Sequence, residues 1–157
     1  MYETDVIKEL ASKNIKLSLV VSGGGVQVHN LFLVPDCSKV MTESQFLYDF
    51  ESYKRFFGYK PEISFVSQEM SDLMALEINK KRPDTISIGV TCLLAKTRVL
   101  EGGEKAFISI VRDSKVIHGS KVEFTGIDRY WQDLEVAKYV FEKIVNEFDK
   151  LVNDAIV

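Results

Sequence analysis

The apolar positions of the chain change period several times, and each change marks an element. Val6, Ile7, Leu10 and Ala11 recur at helical spacing behind Thr4, a suitable N-cap, and Asn14 supplies a stop. A short, surface-lying first helix is predicted. The apolar run Ile15 to Val21 reads as a strand, enters Ser22-Gly23-Gly24-Gly25, and gives way to a new helical period over Val26 to Val34 that Pro35-Asp36 ends. A second strand is expected around Ser44 to Tyr48, leading into the aromatic segment Phe50 to Phe57, after which Gly58 and Pro61 break the chain.

Ser67 caps the next predicted helix, where Met70, Leu73, Met74, Glu77 and Ile78 share one face with a single polar intruder, a core stripe. Thr85 to Thr91 (TISIGVT) is apolar enough to be covered on both faces, which predicts a central strand. A charged, Gly-containing loop follows from Leu93 to Lys105. Ala106 to Val111 and Lys115 to Phe124 then form an antiparallel hairpin across Arg112-Asp113-Ser114. One long helix from about Asp128 closes the chain, with Trp131, Leu134, Val140 or Phe141, Ile144 or Val145, Phe148 and Leu151 as its apolar stripe.

The order α, β, α, β, α, α, β, β, β, α predicts an α/β fold: a three-layer α/β/α sandwich around a mixed, mostly parallel β-sheet, formed by residues 1–157 as one domain. Ligands of such open sheets bind outside the carboxyl ends of the strands. Here those ends are Ser22 to Gly25, Tyr48 to Lys54, and Thr91 onward.

Composition narrows the function classes. At 157 residues, with 46% hydrophobic and 27% charged residues, the chain has material for a packed core without staples. A net charge of −3 offers no basic field for DNA, RNA or an anionic membrane, so no nucleic-acid partner is expected. The basic run Lys80-Lys81-Arg82 reads as a helix C-terminus complementing its dipole. No apolar stretch approaches the ~18 residues needed to span a bilayer, and no membrane partner is expected. The opening MYETDVIKEL is acidic and amphipathic rather than basic then apolar, and only Cys37 and Cys92 are present. No signal peptide and a cytoplasmic location are expected, with both thiols as ordinary buried or half-buried residues. His29 and His118 lie far apart with no ligand spacing around either, so neither a metal nor a cofactor is expected.

The turn Ser22-Gly23-Gly24-Gly25 carries the most chemistry. It sets backbone N–H groups at a helix start, where they can hold an anion or oxyanion; equally, it can be a tight connection with Ser22 as cap. Arg129, beside Asp128 at the start of the last helix, suits a ligand phosphate or the pocket edge, with a capped helix and a surface guanidinium as the alternative. The acidic and basic pairs further along that helix are a solvated face.

These features, in order, resemble the C-terminal domain of the competence/damage-inducible protein CinA, whose stand-alone members deamidate nicotinamide mononucleotide. The family's ESCTGG turn is similar to VVSGGG at Val20 to Gly25, and its YSNEAK and following GV to YDFESYK at Tyr48 to Lys54 and Gly58-Tyr59. Its Val-Ser before the next helix matches Val66-Ser67, and Met74-Ala75 follow as expected. Its TGIAGP loop corresponds to Thr91-Cys92-Leu93-Leu94-Ala95-Lys96, with Gly102-Gly103 downstream, and its GDR to Gly126-Ile127-Asp128-Arg129. The resemblance spans nearly the whole chain, though no single motif survives whole.

The resemblance implies a serine nucleophile activated or oriented by a tyrosine and a lysine. On this chain that makes Ser22 the candidate nucleophile, Lys54 the base and Tyr48 the orienter, with Gly23, Gly24, Gly25, Thr91 and Arg129 as ligand-binding candidates. Without gaps, however, Val20-Val21 fall on the family's Glu-Ser pair and Tyr53 on its lysine; a one-residue deletion is needed to bring in Ser22 and an insertion to bring in Lys54. The glycines of TGIAGP are also replaced by TCLLAK. Misplacement by ~1 Å already costs ~100-fold in rate. Three departures together imply a degenerate amidohydrolase site and a non-catalytic ligand-binding or protein-interaction module. The alternatives are an active nicotinamide-nucleotide amidohydrolase with Ser22 as nucleophile, and another small-nucleotide or phosphate binder using the glycine turn. The resemblance further implies a homo-oligomer, for which Phe46, Tyr48, Phe50, Tyr53, Phe56 and Phe57 supply either an interface or a core cluster.

Overall fold

The computed structural model describes residues 3–95, 103–125 and 128–156, without the side chains of 148, 149 and 151–156. The elements follow the predicted order: α1 (Glu3–Ser12), β1 (Leu17–Ser22), α2 (Val26–Leu31), β2 (Met41–Leu47), α3 (Phe50–Phe57), α4 (Gln68–Lys81), β3 (Ile86–Leu93), β4 (Lys105–Arg112), β5 (Lys115–Val122) and α5 (Arg129–Ile156), with one 3₁₀ turn at Cys37–Lys39. The strands lie in the order β2-β1-β3-β4-β5. β2, β1 and β3 are parallel, and β4 is antiparallel to both β3 and β5, so four of the five strands run one way and β4 alone opposes them. The sheet is mixed and mostly parallel, with helices on both faces.

Alternation along β1 assigns the two faces. Leu17, Leu19 and Val21 pack with Val6, Ile7 and Leu10 of α1, Val28 of α2, and Val136, Ala137, Val140 and Ile144 of α5. Val20 points the other way, onto Tyr53, Phe56 and Phe57 of α3 and Met70, Met74 and Ile78 of α4. β3 is buried from Ile86 to Cys92, as its near-continuous apolar run requires of the central strand. Gly89 lets α4 lie close on it: a Cβ there would stand 2.5 Å from the Ser71 carbonyl oxygen and 2.9 Å from the Ala75 nitrogen.

Local chemistry sets the boundaries. Ser67 accepts the Met70 N–H at the head of α4, and Asp49 with Ser52 forms a reciprocal capping box on α3. The β4–β5 turn uses Asp113 and Ser114 at positive φ, the geometry that matches strand twist. α2 ends at Leu31, earlier than Val34, because Leu33 is exposed and Pro35 disfavours helix at the residue before it. β2 begins at Met41, earlier than Ser44, since Met41 already pairs with Leu17. The expected stripe of α5 is corrected at its start: Trp131 is 56% exposed, and Gln132 is the buried residue of that turn. Phe148 and Leu151, also assigned to the stripe, lie outside the described side chains.

Candidate functional site

The carboxyl ends of β1 and β3 meet at one register pair, Ser22 beside Thr91. Both side chains point to the α3 and α4 face, where α3 delivers Tyr53 onto them. The Ser22 hydroxyl and the Tyr53 phenol share a short hydrogen bond, and Thr91 donates to the Phe65 carbonyl while also facing the phenol. Phe65 stacks on the Tyr53 ring at 4.4 Å between centroids. Ser22 is 5% exposed and Tyr53 3%, so this group is roofed over. Burial pushes the Tyr53 phenol above its ordinary pKa, an effect that the hydroxyls of Ser22 and Thr91 partly offset. Lys54 stands about 100° further round the helix and is exposed. The structure therefore brings Ser22, Tyr53 and Thr91 together and leaves Lys54 in solvent.

The glycine turn lies directly beyond Ser22. Gly23 has φ +71, and a Cβ there would collide with the Cys92 carbonyl oxygen, so the turn is held tight against β3. The first turn of α5 clamps it from the opposite side. The Arg129 guanidinium donates to the Gly23 carbonyl at 2.9 Å, and the Asp133 carboxylate accepts the Gly25 N–H at 2.5 Å. Burial raises the Asp133 pKa above its ordinary value, while backbone hydrogen bonds from Gly25, Gln27 and Val26 and the Arg129 charge favour the carboxylate. Gln132, between the two, is fully buried and accepts the Ala95 N–H at 2.7 Å. The amides that make a glycine turn an anion holder are thus already bonded to a carboxylate of the chain itself.

A cleft of ≈ 340 Å³ opens beside this turn, lined by Gly23, Gly24, Val26, Tyr48, Leu94 and Tyr130 together with the exposed Arg129 and the half-buried Asp133. Tyr48 is 64% and Tyr130 59% exposed. A hollow of ≈ 360 Å³ at the opposite end of the sheet, between residues 13–16, 83–86 and 112–113, consists of strand-entry loops and brings no phenol or glycine turn together. Of the sequence candidates, then, Gly23, Gly24, Tyr48 and Arg129 line the cleft, Gly25 is bonded to Asp133, and Ser22 and Thr91 lie beneath it. The aromatic segment divides: Tyr53, Phe56 and Phe57 are core, whereas Phe46, Tyr48 and Phe50 are exposed.

The Cys92 thiol, next to the turn, is buried, and burial with the nearby Asp133 charge pushes its pKa up, so it stays protonated at neutral pH. Cys37 is half-buried. No group of three or more His, Cys, Asp or Glu side chains among the described residues is arranged to hold a metal ion, and no helix among them is long and apolar enough to cross a membrane. Lys96, Gly102, Gly126 and Ile127, which belong to the loop and GDR-like segments, lie outside the described residues.

Nothing local in the sequence distinguishes Asp133 and Tyr130 from solvated positions on a long helix. Only the packing of α5 against the turn gives them a role. Tyr53 did carry a signal, since it occupies the lysine position of the ungapped comparison.

This fold is shared with solved structures of CinA superfamily and competence/damage-inducible proteins. The chain superposes on a CinA superfamily protein from Klebsiella pneumoniae with a TM-score of 0.81, over 94% of this chain and 96% of that one, at 14% identity. Competence/damage-inducible protein CihA from Agrobacterium tumefaciens gives 0.79, 92% of each chain and 13% identity. A competence or damage-inducible protein from Enterobacter asburiae gives 0.73, 99% of each chain and 18% identity. No protein-family model matches the sequence, and no curated protein does. At such identities the likeness establishes the fold alone.

Proposed function

We propose that this chain is a divergent CinA-fold domain with a degenerate amidohydrolase site, acting as a non-catalytic module that binds a small ligand in the cleft over the glycine turn. The observation that carries this reading is the partner of Ser22. A serine hydroxyl attacks only when a base takes its proton. The group in contact here is a buried phenol whose pKa lies above its ordinary value, so it remains protonated at neutral pH and holds Ser22 as a hydrogen-bonding partner. Lys54, the base implied by the resemblance, is exposed. Oxyanion stabilisation meets the same difficulty, because the Gly25 amide is engaged by Asp133. That contact also weighs against a phosphate binder using the turn.

The rival amidohydrolase reading keeps one point in its favour: Ser22 does stand at a strand end beside the glycine turn, with a tyrosine on its hydroxyl. Ammonia release from nicotinamide mononucleotide separates the two. Purified protein is expected to release none above a Ser22→Ala control prepared in parallel. Release that disappears in the variant would establish Ser22 as a nucleophile and overturn the non-catalytic reading.

A further inference from the structure

The two charged side chains of the cleft are committed to the chain's own backbone in a complementary way. Arg129 and Asp133 are one helical turn apart on α5, an i, i+4 pair. The guanidinium binds a carbonyl at one end of the glycine turn, and the carboxylate binds an amide at the other. The pair reads the turn as it would read a bound peptide, and each charge lies in the field of the other. The remaining walls are two exposed phenol rings, Tyr48 and Tyr130, with Leu94 and Val26. Aromatic and aliphatic walls with few polar groups suit a flat ring system.

We infer that Arg129 and Asp133 set the specificity of this cleft: by balancing each other and occupying the glycine turn, they leave a pocket for a planar, uncharged ligand and turn away both anions and cations. The inference rests on the ligand-binding reading above and names its ligand class. A phosphate or carboxylate can reach the turn amides only by displacing Asp133, which would leave that half-buried carboxylate without its partners. An organic cation approaching Asp133 meets Arg129 alongside it. Removing either charge should free the other.

Three isosteric probes differing in charge test this: benzamide, benzoate and benzamidinium, titrated into wild-type protein, Asp133→Asn and Arg129→Gln, with dissociation constants from protein-observed NMR. Wild type is expected to bind benzamide about tenfold more tightly than either ion, the scale of leaving a polar partner unmatched. Asp133→Asn should shift the preference to benzoate, and Arg129→Gln to benzamidinium. Wild-type preference for either ion, or a charge order that both substitutions leave unchanged, overturns the inference while leaving the cleft as a ligand site. Absence of binding by all three probes to folded protein overturns the ligand-binding reading and this inference together. Because the wild-type series stands alone, misfolding of a variant does not rescue the idea.

Discussion

β1 and β3 carry two pairs of hydroxyl residues in the same register, four residues apart and on the same face: Ser18 beside Ser87, and Ser22 beside Thr91. At the amino end, Ser18 bonds Thr85 at 2.7 Å and Ser87 at 2.9 Å. Asn79 of α4 closes that group by donating to the Thr85 carbonyl at 2.9 Å and to Ser87 at 3.0 Å, while accepting the Ser114 N–H of the β4–β5 turn at 3.0 Å. This is a closed polar network that ties α4, the sheet and a hairpin turn together. At the carboxyl end the roof is a phenol, and an open cleft lies next door. The contrast shows that hydroxyls at strand ends are not themselves a sign of function. What distinguishes the ends is whether the neighbouring elements close the network or leave room beside it.

The largest effect should come from the closed end. Asn79→Ala strips partners from two backbone groups and one side chain at once, each buried polar group costing ~1–3 kcal/mol when orphaned. A loss of about 3 kcal/mol in urea denaturation is expected, together with loosened amide-exchange protection at Ser114. A cost under about 1 kcal/mol would mean that water replaces the amide and that the amino end is not closed in solution.

Ser22→Ala should be milder, about 1 kcal/mol, because it removes one neutral hydrogen bond while Tyr53 keeps Thr91. A cost as large as that of Asn79→Ala would make the two ends equivalent and remove the contrast. A gain in stability would instead mark Ser22 as a strained residue of the kind that active sites retain.

The smallest effect concerns Asp133 and sharpens the carboxyl end alone. Burial raises its pKa, so the native state binds this proton more tightly than the unfolded chain does. As pH falls through the native pKa toward the unfolded value, wild-type protein should gain stability relative to Asp133→Asn, and the gain should be complete below the unfolded carboxyl value, ~3.9. Above the native pKa the difference should be flat. Denaturation of both proteins between pH 3.5 and about 7 measures it; a difference that runs the opposite way would mean that the turn amides outweigh burial.

Much of this fold is legible in the sequence. Period changes located most of the described helices and strands in order, α3 being marked only as an aromatic segment; the central place of TISIGVT followed from its apolar run, and the glycine turn marked the end of β1 where the cleft forms. Periodicity reports local geometry, which the backbone sets within a few residues. The site itself was legible only in part. Ser22, Gly23, Gly24, Tyr48 and Arg129 stand out as candidates in the sequence, whereas Tyr53 and Lys54 compete for one position in it, and α3 buries the first against Ser22 while exposing the second. Asp133 lies 108 positions from Gly25, and no spacing rule links them. Their contact exists because α5 packs against α2 across a face assembled from distant segments. Which segments become helix and strand is written locally in the chain; which side chains meet at their ends is settled by packing, because that depends on where a helix comes to rest after its apolar stripe is buried.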